Sequence, residues 1–137
     1  MDNRARRPIR LAFLNVALGT LPCLVTACDL VYPEVVVVNQ TAATVLLKDL
    51  SFSGCAWSTV LGFGEATSPE RCLPGEDRVH FQKIDLTNVD LHAAIAPTWF
   101  RYRTVLPRRA AYGDFQRYEI RLEDLEQDFS VPGPYGH

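Results

Sequence analysis

The sequence contains none of the short motifs that mark common cofactor and ion sites. It has no glycine-rich phosphate loop, no calcium-binding loop and no heptad repeat. Only three histidines are present, and no serine lies in the strand-turn-helix context of a nucleophile elbow. We therefore predict a protein that is not an enzyme and that holds no metal or other cofactor.

The sequence also lacks an apolar run suited to a lasting membrane span, which needs about 20 predominantly apolar residues. The nearest candidate, residues 11–25, is interrupted by Asn15, Gly19 and Pro22, and four arginines lie within the first ten positions. A basic start followed by a short apolar segment is typical of a secretory signal peptide, which is removed from the mature protein. We therefore predict a signal peptide over residues 1–27.

The residues at the end of this segment, Val25-Thr26-Ala27-Cys28, resemble the lipobox of bacterial lipoproteins. The resemblance covers residues 1–28, and it implies cleavage between Ala27 and Cys28 and lipid attached to the Cys28 sulfur. Several acyl chains would anchor the protein durably, because each buried methylene contributes about 0.8 kcal/mol. The resemblance thus implies a lipid-anchored protein of the bacterial cell envelope, in a membrane that the sequence leaves open. Ordinary signal peptidase cleavage at the same bond, with release of a soluble protein, is the alternative.

Four cysteines are present, of which one lies in the signal peptide and Cys28 is assigned to lipid. Cys55 and Cys72 remain, and in an oxidising envelope compartment they most simply form a disulfide. A zinc site that adds His80 and His92 is the competing interpretation. Its ligand gaps of 17, 8 and 12 residues differ from the two to five that structural zinc sites usually show. We therefore predict the disulfide and no metal.

The composition, 47% hydrophobic and 22% charged over 137 residues, fits one small globular domain. Residues 34–39 include four consecutive valines and predict a strand covered on both faces. Alternating or β-branched patterns predict further strands at residues 44–50, 55–61, 79–84, 100–106 and 117–122. Only residues 86–96 could hold a short helix. This pattern predicts an all-β fold, a small antiparallel β-sandwich or partly open barrel of about six to eight strands.

The predicted organisation after the signal peptide has three parts. Residues 28–34 form the lipidated N-terminus and a short tether, and residues 35–128 form the β-sandwich domain. Residues 129–137 are rich in proline and glycine, which predicts a flexible C-terminal tail.

The charge balance argues against nucleic acid as a partner. The first 27 residues hold four of the fourteen basic residues and one of the sixteen acidic ones, which leaves ten basic against fifteen acidic. Phosphate contact relies on lysine and arginine. The exception is Arg101, Arg103, Arg117 and Arg121, which would share one face if their strands formed a hairpin. That face is a candidate for binding a partner, and a solvated strand face is the alternative.

These observations favour a membrane-anchored envelope lipoprotein that acts as a non-catalytic binding or structural module. Its expected partners are the membrane, through lipid on Cys28, and an envelope protein. The alternative is a small envelope enzyme or metal-handling protein that uses His80 and His92.

Overall fold

A computed structural model describes residues 30–136, and that range contains ten β-strands. The strands are β1 (Glu34–Gln40), β2 (Val45–Phe52), β3 (Cys55–Trp57), β4 (Glu70–Arg71), β5 (Gly75–Asp77), β6 (His80–Asp85), β7 (Phe100–Thr104), β8 (Arg108–Ala110), β9 (Phe115–Arg121) and β10 (Leu125–Gln127). Two 3-10 turns, Leu86–Asn88 and Leu122–Asp124, follow β6 and β9. The signal peptide, Ala27 and Cys28 lie outside the described residues.

Between residues 30 and 136, the strands form three sheets that do not close into a barrel. The largest sheet has the order β10-β7-β6-β2-β3, the second has the order β4-β1-β9, and β5 pairs with β8. All neighbours are antiparallel except β1 and β9, which are parallel. The all-β prediction is confirmed. The strand number exceeds the expected six to eight because β4, β5, β8 and β10 have only two or three residues, too few to show a period in sequence.

The two larger sheets pack face to face around one apolar core. Val35 and Val37 of β1 belong to the same buried cluster as Leu47 and Leu50 of β2. The ring of Phe52, from the five-stranded sheet, meets the ring of Tyr118, from β9, edge to face at 5.0 Å. Side chains from both sheets therefore form the interior of a sandwich.

The first strand is buried on both faces, as its run of valines predicts. Each residue from Val35 to Asn39 is buried. The segment that precedes β4 pairs along one edge of β1: Val38 bridges Ala66, and the Thr67 N–H donates to the Val37 carbonyl at 2.8 Å. A strand that is buried on both faces needs no alternation of polar and apolar residues.

Residues 86–96 contain no α-helix. The 3-10 turn Leu86–Asn88 begins there because the Asp85 carboxylate accepts a hydrogen bond from the Thr87 N–H at 3.0 Å. The remainder is an exposed loop that leads to β7. Asp, Thr and Asn side chains compete for backbone hydrogen bonds and favour such turns over a continued helix.

The described part of the C-terminal tail lies against β7. The Arg101 N–H donates to the Pro134 carbonyl at 3.0 Å, and the Tyr102 hydroxyl donates to the Gly136 carbonyl at 2.5 Å. The rings of Phe129 and Tyr135 pack 4.8 Å apart. These contacts depend on long-range backbone pairing, which leaves no pattern in a short segment rich in proline and glycine.

Candidate functional site

A histidine and a buried carboxylate meet on one face of the five-stranded sheet. His80 begins β6, and Asp128 directly follows β10. Because β7 lies between these two strands, residues 48 positions apart in sequence come together. The His80 Nδ1 atom lies 2.6 Å from Asp128 Oδ2, and Asp128 is only 2% exposed. The carboxylate thereby fixes the orientation of the imidazole, whose Nε2 atom lies 3.9 Å from Asp77 Oδ1.

The hydrogen bonds around Asp128 favour its ionised form. Burial alone would raise the pKa of this carboxyl, but hydrogen bonds from Ser130 and His80 outweigh it and hold the pKa below its ordinary value of 3.8. The Ser130 N–H donates to Asp128 Oδ1 at 3.0 Å, and the Ser130 hydroxyl donates to the same oxygen. The pair is therefore a carboxylate that orients an imidazole.

Around this pair the surface forms an open cleft of about 320 Å³, here called the His80 cleft. Its lining consists of Asp49, Ser51, His80, Phe81, Arg101, Asp128, Ser130 and Val131. Ser51 stands opposite His80 in the β2–β6 pairing, next to an irregularity where Asp49 adopts a positive φ of 48°. The cleft therefore brings a hydroxyl and a second carboxylate close to the imidazole.

Arg101 supplies the positive charge of the His80 cleft. Its Nε atom is buried and makes no hydrogen bond. Among the residues that the structure describes, no carboxylate lies within 4.0 Å of its guanidinium. A guanidinium without a carboxylate partner can bind a carboxylate or phosphate of a ligand in two-point geometry.

The other three arginines singled out from the sequence already have carboxylate partners. Arg103 Nε lies 2.7 Å from Glu126 Oε1. Arg117 and Arg121 share Glu119, at 3.9 and 2.9 Å. Exposed pairs of this kind contribute little to stability, and they reduce the charge that an incoming partner would meet.

The predicted hairpin that would place all four arginines on one face does not form. β7, which carries Arg101 and Arg103, pairs with β6 and β10. β9, which carries Arg117 and Arg121, pairs with β1 in the other large sheet. The hairpin prediction was wrong because β9 pairs with β1, the first strand of the domain, rather than with a strand that directly precedes it. Arg117 and Arg121 instead line a separate polar cleft with Arg108, Glu119 and Asp124.

The predicted disulfide between Cys55 and Cys72 is confirmed, with a Cα–Cα distance of 5.2 Å. Neither sulfur is therefore free to bind a metal. His92 lies in the exposed loop beyond the opposite end of β6 from His80, so the two histidines do not share a site. Within residues 30–136, no group of three or more histidine, cysteine, aspartate or glutamate side chains is arranged to hold a metal ion.

The sequence singles out His80 and Arg101 separately, but it does not indicate that Asp128 joins them in one site. Nothing local signals the contact, since it depends on the order β10-β7-β6, which is set by long-range pairing.

Neither a protein-family model, a curated protein nor a solved structure matches the chain. In the described part of the chain, no helix has the length and apolar character needed to cross a membrane.

Proposed function

We propose that the protein is a lipid-anchored lipoprotein of the bacterial cell envelope whose β-domain is a non-catalytic binding module. Its anchor is lipid on Cys28, exposed by cleavage after Ala27. The membrane is thus one partner, and an envelope protein or a small envelope ligand is the other. An acidic domain of this composition is a poor ligand for nucleic acid.

The observation that carries this proposal is the disulfide between Cys55 and Cys72. Disulfides persist in oxidising compartments such as the periplasm and cell surface, and they are rare in the cytosol. Both cysteines are buried, as expected of a structural bridge. Their pairing accounts for both cysteines of the β-domain, which is consistent with the role that the lipobox interpretation gives Cys28.

Mass spectrometry of membrane fractions tests the anchor. We expect the mature N-terminus at Cys28 to carry lipid, and a Cys28→Ser variant to stay unprocessed or to become soluble. Cys23→Ser is the matched control, because that residue lies in the signal peptide and should leave processing unchanged. An unmodified Cys28 in the soluble fraction of wild-type cells would contradict the proposal.

Arg101 supports the binding role within the domain. Its guanidinium lines the His80 cleft beside an imidazole, two hydroxyl groups and the carboxylates of Asp49 and Asp128. Such a cleft suits a small polar ligand that carries an anionic group for Arg101 and a hydrogen-bond donor for the carboxylates, while His80 and Ser51 offer further hydrogen bonds.

Titration of the purified lipoprotein in detergent micelles with inorganic phosphate tests this role, with His80 ring resonances followed by NMR. A charged hydrogen bond contributes about 1.5–3 kcal/mol, so Arg101→Gln should weaken binding about tenfold or more. Arg103→Gln is the matched control on the same strand, because its guanidinium is already paired with Glu126. Equal phosphate affinity in all three proteins, or no binding by wild type, would count against the cleft as an anion site.

A small envelope enzyme is the second candidate, and the His80–Asp128 pair favours it. A carboxylate bound to Nδ1 is the arrangement that orients a general base, with Nε2 facing the substrate. Ser51 is the hydroxyl placed opposite His80. His92 has no part in this arrangement, although the sequence suggested it together with His80.

Hydrolysis of a p-nitrophenyl ester by the purified lipoprotein separates the two candidates. The enzyme candidate requires turnover that is lost in both His80→Gln and Ser51→Ala and kept in His92→Gln. Absence of turnover by wild type, or turnover that survives His80→Gln, would reject it and leave the binding role.

A further inference from the structure

One end of the sandwich is defined by the starts of two parallel strands. β1 begins at Glu34 and β9 begins at Phe115, and these two residues are directly paired. The chain before β1 is held at the same end, because the Gly113 N–H donates to the Val31 carbonyl at 2.7 Å. The segment after β4 also arrives there, since the Cys72 N–H donates to the Pro33 carbonyl at 2.9 Å. Three separate stretches of chain therefore share this end.

Large apolar side chains are exposed on all three stretches. They form what is here called the anchor-end patch: Leu30, Val31, Tyr32, Leu73, Tyr112 and Phe115, each 46–65% exposed. The rings of Tyr32 and Tyr112 lie 5.7 Å apart, so the side chains of two stretches are in contact. Single exposed apolar residues need no explanation, but a contiguous group of them marks a surface that contacts a partner or a membrane.

The position of Cys28 identifies the occupant of this patch. Cys28 precedes Leu30 by two residues, and two residues span at most about 7 Å. Lipid on Cys28 would therefore hold the bilayer surface against this end of the domain. Tyrosine is enriched where an apolar ring meets the headgroup region, and the patch contains two tyrosines.

We propose that the anchor-end patch rests on the bilayer and inserts into its headgroup region, which gives the domain a fixed orientation on the membrane. This inference rests on the proposed lipid anchor. The occupant is the membrane that holds the anchor rather than another protein. The patch acts as a second contact that works together with the acyl chains.

Charges of both signs border the patch. Arg71 lies opposite Glu34 in the β1–β4 register, Arg117 and Asp114 flank Phe115 along the chain, and Asp29 precedes Leu30. Apolar contact, rather than attraction to anionic headgroups, therefore drives the insertion. Added anionic lipid should change it little.

A second exposed apolar surface lies at the opposite end of the fold and serves as the comparison. The loop after β6 exposes Leu91 and Ile95 by 77% and 83%. Its start is fixed beside the turn between β1 and β2, because the Leu86 N–H donates to the Thr44 carbonyl at 2.8 Å. The proposal places this loop away from the bilayer.

Fluorescence quenching by nitroxide-labelled phosphatidylcholine tests the orientation. The full mature lipoprotein is reconstituted in phosphatidylcholine vesicles after a single free thiol is introduced by Tyr112→Cys, Phe115→Cys or, as control, Leu91→Cys. Each thiol then carries an environment-sensitive label. Because interfacial apolar groups lie about 5–10 Å into the headgroup boundary, quenching at positions 112 and 115 should exceed that at position 91 by about twofold or more. Vesicles with added phosphatidylglycerol should give the same ratio.

The possible results separate the two proposals. Equal quenching at all three positions, stronger quenching at position 91, or dependence on phosphatidylglycerol would overturn the orientation while leaving the anchor intact. A wild-type protein that does not sediment with the vesicles would overturn the anchor, and the orientation with it.

Discussion

Asp128 is a buried carboxylate whose ionised form depends on two neighbours. Hydrogen bonds from Ser130 and His80 hold its pKa below its ordinary value of 3.8, against the opposing effect of burial. An acid whose pKa is depressed on folding stabilises the folded state above its unfolded pKa. That stabilisation decreases as the pH falls below about 4 and through the lower folded pKa.

We predict that Asp128→Asn lowers the free energy of unfolding by about 1–3 kcal/mol at neutral pH, because it replaces charge-assisted hydrogen bonds with weaker ones. The variant should also lose part of the acid dependence below pH ~4. Urea unfolding across that pH range measures both effects. Asp49→Asn is the matched control, since Asp49 lines the same cleft but is exposed. Equal losses in both variants would contradict the role given to Asp128.

The burial of β1 could be predicted from its sequence, but its pairing partner could not. Four valines in a row indicate a strand with two covered faces, and the structure confirms this. The pairing with β9 in parallel could not be read from the sequence, because about 75 residues separate the two strands in the chain. The same long-range order created the His80–Asp128 contact and separated the arginines of β7 from those of β9.

Local sequence patterns predicted the strands better than they predicted strand pairing, where a segment has a clear alternating period. Residues 79–84 and 117–122 alternate, and each corresponds to an observed strand. β4 and β10 have two and three residues, show no period, and pair along the open edge of a longer strand. Within the site, sequence thus identified His80 and Arg101 but not the carboxylate that orients the histidine.

Asn39 connects three parts of the fold from the end of β1. It is completely buried, and its Nδ2 donates to the Val45 carbonyl at 2.9 Å and the Leu61 carbonyl at 3.0 Å. Its Oδ1 accepts hydrogen bonds from the Thr41 N–H and hydroxyl. The side-chain amide therefore supplies donors on one side and an acceptor on the other, which no other residue of this size provides.

We predict that Asn39→Asp lowers the free energy of unfolding by about 3 kcal/mol. The change removes both donors and turns a carboxylate oxygen toward two carbonyl oxygens in a buried site. Gln40→Glu makes the same amide-to-acid change at the next, half-buried residue, where an effect within about 0.5 kcal/mol is expected. Chemical denaturation of the two variants provides the measurement, and similar stabilities would contradict the structural role of Asn39.

The two layers of the sandwich are joined at both edges by different means. β3 and β4 are the outer strands of the two larger sheets on one side. The disulfide links Cys55 of β3 to Cys72, which directly follows β4. On the other side, β9 and β10 are the outer strands, and the turn Leu122–Asp124 connects them directly. The disulfide thus joins the two layers at one edge, and the continuous chain joins them at the other.

This arrangement predicts that the whole domain, and not one loop, loses stability when the disulfide is reduced. A loop of 17 residues corresponds to about 3 kcal/mol in the chain-entropy model. For a domain of this size that is a decrease in Tm on the order of 10–20 °C. Thermal unfolding with and without a thiol reductant measures the decrease. A Cys55→Ala, Cys72→Ala double variant should match the reduced wild type, because both lack the same link. An unchanged Tm on reduction would show that the packed core alone holds the layers together.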